Sequence, residues 1–332
     1  MTPVVADDVI EPPLAFSGQR LDWRDLPRHV RARIAALAGA QVTAEISATS
    51  GFSPGFAAVL ELADGRGVFV KAVSAEQNPA SPDLARAEIR VASGLPPSVP
   101  APRLLWSDDD GDWVLLGFEV VHGRSPEIPW QADDLEAVLA ALDVLGGTEP
   151  LAGHALLPAH DQLGEAFTGW RSLAAMDREP QDALVEQAGS LGTWARSHID
   201  ELVEWEADAL RAMAGTALVH GDLRADNILI DPDHFRVAFI DWPHACVGAP
   251  WLDLAFMLPS VAMQGGGDPH AIFQAHPLAE GVSPTDLRAV LAAQAGYFAW
   301  HGAQPAPLGI PNLRRFQLAQ AVAATRWLRD VA

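Results

Sequence analysis

The chain has 332 residues, 49% of them hydrophobic and 20% charged, with a formal net charge of −21 at pH 7. The length predicts about two domains with a sizeable core. So acidic a chain repels nucleic-acid backbones and anionic membranes, and we expect neither as a partner. Its single cysteine, Cys246, excludes an internal disulfide and is typical of a reducing compartment. The N-terminus lacks the basic segment of a signal peptide and no apolar run could span a bilayer, so we expect a cytoplasmic protein.

The N-terminal third is predicted to be a small antiparallel sheet with an inserted helix. Short turns rich in Asp and Gly separate its apolar segments, and such turns supply the positive φ angles that hairpins require. The predicted elements are a helix at 24–38, strands at 42–49, 56–63 and 68–73, a helix at 82–94, and strands at 102–108 and 112–121.

After residue 121 the pattern becomes mainly helical, with apolar spacing of helical period in 133–146, 182–198 and 201–214. The exception is 216–241, where the segments ALV, NILI and FRVAFID predict three short strands. The sequence therefore predicts an α+β protein with two lobes, a sheet lobe at 1–120 and a helical lobe at 121–332.

The stretch 216–241 also carries the most specific chemistry. It contains HGDLRADN, from His220 to Asn227, and Asp241 closes the strand that follows. Phosphoryl transfer to a hydroxyl needs a carboxylate that takes the acceptor's proton, and oxygen ligands for Mg²⁺ bridging the phosphates. A loop from Asp222 to Asn227, followed by a hairpin back to Asp241, can supply both. We predict Asp222 as the base and Asn227 and Asp241 as the metal ligands.

Two further motifs accompany this loop: Ile-Asp-Trp at 240–242, where protein kinases have Asp-Phe-Gly, and VGAPWLDLA at 247–255. Together with HGDLRADN they resemble the aminoglycoside phosphotransferase/choline kinase branch of the protein-kinase-like enzymes, over about 43–258. The resemblance implies a bilobal protein-kinase-like fold, ATP and Mg²⁺ as cofactors, and a small-molecule hydroxyl as acceptor. It also implies that Asp253 braces the catalytic loop.

The only lysine of the chain, Lys71, ends the third predicted strand in a protein that otherwise uses arginine. In the family that the chain resembles, a strand lysine holds the α- and β-phosphates of ATP, and a glutamate of the next helix holds that lysine. The resemblance thus implies a pair of Lys71 and Glu88. A compact point charge suits this place better than the planar fork of arginine. A surface lysine that occurs there by chance is the alternative.

The resemblance also implies further contacts with the nucleotide. The segment TSGFSPGF at 49–56 lies where the family has its phosphate-covering loop, although the full G-x-G-x-x-G pattern is absent and an ordinary hairpin turn is the alternative. The lobe linker at 118–121 is expected to face adenine, and Arg224 to steady the γ-phosphate unless it is a surface charge. The predicted nucleotide contacts are Ser50, Gly51, Ser53 and Gly55 in the loop and Glu119 and Val121 in the linker.

The acceptor remains open, since aminoglycosides, other antibiotics, choline-like alcohols, sugars and amino alcohols all suit this family. The acidic balance of the chain favours a cationic acceptor. Trp251, Trp300 and His301 are candidate pocket residues, with a place in the core as the alternative. A nucleotide-binding regulatory module without turnover is the first alternative function, although such a module needs no base. A protein kinase is the second, but no recognisable activation segment follows residue 241. The sequence does not predict an oligomeric state.

Overall fold

The computed structural model describes residues 15, 20–48, 51–52, 54–153, 156–176, 178–232 and 236–332. Its N-terminal part is one antiparallel sheet of five strands in the order β1-β2-β3-β5-β4, with a helix against each face. The elements are α1 (Arg28–Ala38), β1 (Val42–Ser47), β2 (Phe56–Leu62), β3 (Gly67–Ser74), α2 (Ser81–Ala92), β4 (Leu104–Asp109) and β5 (Trp113–Phe118).

Strand β3 runs through the middle of this sheet, and its alternating side chains serve two different cores. Val68, Val70 and Ala72 pack in one hydrophobic cluster with Val30 and Ile34 of α1. Because successive side chains of a strand point to opposite faces, the residues between them must face the other side of the sheet.

On that other side, Phe69 and Val73 pack with Ala85 and Ile89 of α2. Lys71 lies between Phe69 and Val73 in the strand, opposite Ala57 of β2. The period of two therefore directs Lys71 toward α2, which is what brings it to the helix that carries Glu88.

The remainder of the chain is mainly helical, with two small antiparallel sheets of two strands that pair β6 with β9 and β7 with β8. Helix α8 is buried on almost every side within the large C-terminal core. The elements are α3 (Ala132–Gly146), α4 (Ala159–Leu163), α5 (Gly169–Ala174), α6 (Arg178–Ser197), α7 (Ile199–Ala212), β6 (Ala217–Val219), β7 (Ile228–Ile230), β8 (Val237–Phe239), β9 (Cys246–Gly248), α8 (Leu252–Met263), α9 (Pro269–Ala275), α10 (Pro284–Gly302) and α11 (Leu313–Val331).

The structure confirms the predicted α+β class and its division into an antiparallel sheet and a helical part. The first helix begins at Arg28 rather than at residue 24, because Pro27 occupies its N-cap position and Leu26 is buried in the turn before it. The strands at 217–219, 228–230 and 237–239 match the three predicted ones, whereas β9 was not predicted. Within the described residues, no helix is long and apolar enough to cross a membrane. The lobe boundary at residue 120 stays a prediction.

Candidate active site

Lys71 joins the sheet to the helical part through two carboxylates. Its Nζ lies 2.8 Å from both oxygens of Glu88 and 2.9 Å from Oδ1 of Asp241, which is 170 residues away in the chain. The Lys71 and Glu88 side chains are only 17% and 5% exposed. Burial alone would lower the pKa of Lys71, but the two carboxylates outweigh it and raise this pKa above its usual range. The lysine is therefore a fixed cation at the junction of the two parts.

The loop from His220 to Asn227 is held by the carboxylate of Asp253 at the start of α8. Its Oδ2 accepts from the His220 backbone N–H at 2.7 Å, and its Oδ1 accepts from Gly221 N–H at 2.9 Å. Gly221 has φ +83, and a Cβ there would lie 2.8 Å from the His244 carbonyl oxygen, so this position requires glycine. Asp253 thus lies where a residue bracing the catalytic loop must lie, as the resemblance implies.

His220 packs the loop and is not exposed to the cleft. Its ring is fully buried, contacts Trp242 with centroids 4.5 Å apart, and places Nε2 3.0 Å from the Ile240 carbonyl oxygen. Burial lowers the pKa of His220 to about 3. A histidine in this state is neutral near pH 7, which agrees with a packing role rather than acid–base chemistry.

Asp222 and Arg224 form an ion pair inside the loop. Arg224 Nη1 donates to Asp222 Oδ1 at 2.5 Å, and its Nε and Nη2 donate to the two oxygens of Asp226 at 3.1 and 3.0 Å. Burial raises the pKa of Asp222, and Arg224 opposes this rise. The sequence predicts Arg224 as a γ-phosphate contact or a surface charge; its side chain is only 14% exposed and bridges the two aspartates. The bridging contacts were missed.

Asn227 and Asp241, the predicted metal ligands, come from the end of the loop and the end of the β7–β8 hairpin. Asn227 Nδ2 donates to the Asp222 backbone oxygen at 2.7 Å, and Ile240 N–H donates to the Asn227 backbone oxygen at 3.0 Å. These bonds hold the ends of loop and hairpin side by side. Asp241 itself has φ +70, a left-handed conformation that is strained for a residue other than glycine and recurs at functional sites.

The side chains of Asp241 and Asn227 fit a Mg²⁺ ion whose other ligands would be phosphate oxygens of a nucleotide. The Asp241 side chain is 43% exposed. Loss of water in the cleft alone would raise the pKa of Asp241, but the charge and hydrogen bond of Lys71 outweigh this effect and lower the pKa to about 2. Mg²⁺ is usually held by one or two carboxylates together with substrate phosphates. Among the residues that the structure describes, no group of three His, Cys, Asp or Glu side chains could hold a metal ion alone.

The loop predicted to cover the phosphates is described only in part, since Ser50 and Ser53 lie outside the described residues. Gly51 has φ +90, and its N–H donates to the Ala15 carbonyl oxygen at 2.7 Å. A Cβ on Gly55 would lie 2.7 Å from the Ala72 carbonyl oxygen, so close packing against β3 accounts for this glycine. Contact of either glycine with phosphate remains a prediction.

The linker residues Glu119 and Val121 directly follow β5. The Glu119 backbone N–H donates to the Arg103 carbonyl oxygen at 3.0 Å, and its carboxylate accepts from Arg103 Nε at 2.8 Å. Neither linker residue is on the described wall of the cleft cavity. Their contact with adenine therefore stays a prediction.

A cavity of about 340 Å³ opens between the sheet, the catalytic loop and the last two helices. Lys71, Glu88, Asp222, Arg224 and Asp241 all line it, so five of the predicted site residues share one cleft. Its wall also contains residues that the sequence reasoning missed: Phe52, Leu163, Phe167, Phe256, Gln294, Tyr297, Phe298, Ile310, Leu313, Phe316, Gln317 and Gln320.

The three pocket candidates from the sequence are not on this described wall. Trp251 is buried and packs edge-on against Phe273, with centroids 6.1 Å apart, so for this residue the core alternative applies. Wall residues do come from the last two helices, as expected, but at other positions. The sequence pattern that could have found these wall residues is helical spacing. One face of α10 holds residues 294, 297 and 298, and one face of α11 holds residues 313, 316, 317 and 320.

Comparisons with known proteins show the family and the fold. A family model described as "Phosphotransferase enzyme family" (APH) matches residues 50–306. A spectinomycin phosphotransferase, APH(9)-Ia, solved with ADP and spectinomycin, has a TM-score of 0.60 at 13% identity, over 91% of this chain and 98% of that one. A thermostable mutant of the aminoglycoside phosphotransferase APH(4)-Ia, solved with ADP and hygromycin B, has a TM-score of 0.57 at 19% identity, over 90% and 98%. At these identities both structures establish the fold.

Curated relatives match over a shorter stretch. Acyl-CoA dehydrogenase family member 10 of Mus musculus is 37% identical over 68 residues, which is 19% of this chain and 6% of the mouse protein. Family member 11 of Gallus gallus is 36% identical over 78 residues, which is 20% and 10%. The match thus spans a tenth or less of each relative's length.

Proposed function

Since the chain belongs to the phosphotransferase enzyme family, we propose that it transfers the γ-phosphoryl group of ATP, with Mg²⁺, to a hydroxyl of a small molecule. The observation that carries this proposal is the position of Lys71 Nζ, which binds Glu88 of α2 and Asp241 of the distant hairpin at once. Asp222 lines the same cavity. A cation for phosphates, an ionised carboxylate for a metal and a second carboxylate for the acceptor are the groups this reaction needs.

Each group has a distinct task in the proposed reaction. The acceptor hydroxyl gives its proton to the Asp222 carboxylate while its oxygen forms the new bond to the γ-phosphorus. The bond from that phosphorus to the β–γ bridging oxygen breaks, and ADP leaves with the electron pair. Lys71 holds the α- and β-phosphates in place. Asp241 and Asn227 would hold Mg²⁺, which would supply positive charge to the phosphate oxygens when bound.

Pre-organised charge accounts for most of the proposed catalysis, because phosphoryl transfer needs little covalent chemistry from the protein. Lys71 is already fixed by Glu88, so its ammonium does not need to be ordered when ATP binds. The backbone of the loop is likewise fixed by Asp253.

One observation favours the alternative of a nucleotide-binding module without turnover. Arg224 binds Asp222 Oδ1 at 2.5 Å, so one oxygen of the proposed base is occupied. Turnover then requires the other oxygen, Oδ2, whose only hydrogen-bond partner among the described residues is the Asn227 amide nitrogen at 3.4 Å. This longer contact leaves room for an acceptor hydroxyl, and for that reason we favour the enzyme.

The test is transfer of labelled phosphate from ATP to a panel of uncharged, cationic and anionic alcohols, with and without Mg²⁺. We expect a labelled phosphomonoester with at least one class of acceptor. Asp222→Asn should lower kcat by about 10²–10⁴ while ATP still binds. Asp83→Asn, the same change at an exposed surface aspartate, is the matched control. Binding of ATP with no transfer across the panel would instead favour the regulatory module.

A further inference from the structure

The described residues before the first helix, 15 and 20–27, form an N-terminal arm that is bonded to the loop predicted to cover the phosphates. The Gly51 N–H donates to the Ala15 carbonyl oxygen at 2.7 Å, and the Leu21 N–H donates to the Gly55 carbonyl oxygen at 3.4 Å. The family model begins at residue 50, so it does not cover this arm. The arm therefore adds side chains beside the loop that the family match does not assign.

Arg20 of this arm occupies the space beside Gly51. A Cβ on Gly51 would lie 3.2 Å from Arg20 Nη2, which is closer than an ordinary van der Waals contact. Gly51 also has φ +90, a conformation that favours glycine. The absence of a side chain at residue 51 thus leaves room for the guanidinium group next to the loop.

Arg20 also interacts with Asp241, the carboxylate that binds Lys71 and that we propose as a Mg²⁺ ligand. Burial lowers the pKa of Arg20, and the negative charge of Asp241 opposes this fall. Arginine stays protonated in proteins, so Arg20 is a permanent cation near both the loop and the proposed metal ligand. In phosphoryl transfer the metal bridges the β- and γ-phosphates, and the terminal phosphates are therefore expected at this place.

The lysine and the arginine on the described wall of the cavity are each outnumbered by carboxylates. Lys71 binds both Glu88 and Asp241, and Arg224 binds two carboxylates of its own loop. Each of these cations thus faces two groups that are negative when ionised. A triphosphate is itself an anion, so a further cation beside Asp241 favours its binding.

We propose that Arg20 is a further nucleotide-binding residue, which donates hydrogen bonds to a terminal phosphate of ATP, β or γ. This inference rests on the proposed function and extends the nucleotide site to the N-terminal arm. The planar fork of arginine matches two phosphate oxygens at once. Arg20 would supply donors that a G-x-G-x-x-G loop supplies from its backbone, since that pattern is absent here and the Gly51 N–H already donates to Ala15.

The test compares ATP, AMP and adenosine as ligands of the full chain, each measured by calorimetry with Mg²⁺ present. Arg20→Gln removes the charge. We expect it to weaken the binding of ATP by at least about tenfold, which corresponds to the loss of one charge-assisted hydrogen bond. Binding of AMP and adenosine should be unchanged, because neither has a β- or γ-phosphate. Arg24→Gln makes the same change at an exposed position of the arm and should leave all three affinities unaltered.

The comparison between ligands distinguishes a phosphate contact from a structural role of Arg20. If Arg20 only held the arm on the loop, Arg20→Gln would weaken all three ligands together or none of them, and either result overturns the inference. Arg20→Lys keeps a positive charge and should recover part of the lost ATP affinity. An equal loss of ATP affinity in the lysine and glutamine variants would count against a contact with phosphate.

Binding and transfer are separate readouts, so this inference and the proposed function can fail independently. ATP binding that depends on Arg20, without phosphoryl transfer to any acceptor, contradicts the proposed transferase and supports the inference. Transfer by a protein whose ATP affinity is the same in Arg20→Gln as in the wild type supports the transferase and overturns the inference.

Discussion

Replacement of Lys71 by methionine should destabilise the fold as well as abolish nucleotide use, because Lys71 neutralises a buried carboxylate. Glu88 is 5% exposed, and both of its oxygens bind Lys71 Nζ at 2.8 Å. Removal of one partner from a buried ion pair leaves an uncompensated charge, which costs about 3–5 kcal/mol. We expect Lys71→Met to lower the free energy of unfolding by about that amount at pH 7.

The double variant Lys71→Met/Glu88→Met should recover most of this loss. When an apolar pair of similar volume replaces a buried ion pair, the free energy of unfolding often falls by no more than about 1 kcal/mol, and it can even rise. Asp241, the second carboxylate that binds Lys71, is 43% exposed, so water can solvate it when Lys71 is removed. Binding of ATP should stay lost in the double variant, since the cation for the phosphates is still missing.

Equilibrium unfolding in urea, followed by tryptophan fluorescence, measures the stability, and calorimetry measures ATP binding. Arg103→Met is the control, because the Arg103–Glu119 pair is exposed and should contribute less than about 1 kcal/mol. A Lys71→Met variant as stable as this control, or a double variant no more stable than Lys71→Met, would refute the reasoning.

Three more predictions concern the loop and the proposed Mg²⁺ site. Burial raises the pKa of Asp222, and a base must be ionised, so kcat should fall as the pH drops through a pKa above the ordinary aspartate value. Asp222→Asn should lower kcat by about 10²–10⁴ and remove this acid limb in a pH–rate profile. Asp241→Asn should raise the Mg²⁺ concentration for half-maximal rate at least about tenfold, measured by Mg²⁺ titration. Asp253→Ala leaves two N–H groups without an acceptor and should cost about 2–6 kcal/mol of unfolding free energy in urea.

Local periodicity explains why the sheet and the lysine site could be predicted from the sequence. The alternation in β3 fixes which side chains face α1 and which face α2, and Lys71 follows this alternation without exception. The helix that carries Glu88 has recognisable start and stop residues, so its place after β3 was also predictable. The contact with Asp241 depended on a motif, since no periodicity relates residues 170 positions apart.

The aromatic wall of the cleft cavity could not be predicted in the same way. Its aromatic residues have the spacing of an ordinary helix face, and a face turned to a cavity has the same sequence pattern as one turned to the core. Phe256 and Phe298 satisfy both descriptions, because they are buried and also line the cavity. The contacts of Arg224 with Asp222 and Asp226 could not be predicted either, because only the geometry of the loop shows that all three side chains meet.

Arg224 contacts both the proposed base and the aromatic wall of the cleft cavity. Its guanidinium fixes Oδ1 of Asp222 and is itself held in plane by both oxygens of Asp226. The same guanidinium lies against the rings of Phe52 and Phe316. A planar, delocalised guanidinium can bind carboxylates and stack on aromatic rings at the same time. A lysine ammonium is compact and not planar, so it can neither bind a carboxylate with two parallel N–H groups nor stack on a ring. The chain therefore has arginine beside the proposed base and its one lysine where we propose that the α- and β-phosphates bind, because the two positions need cations of different shape.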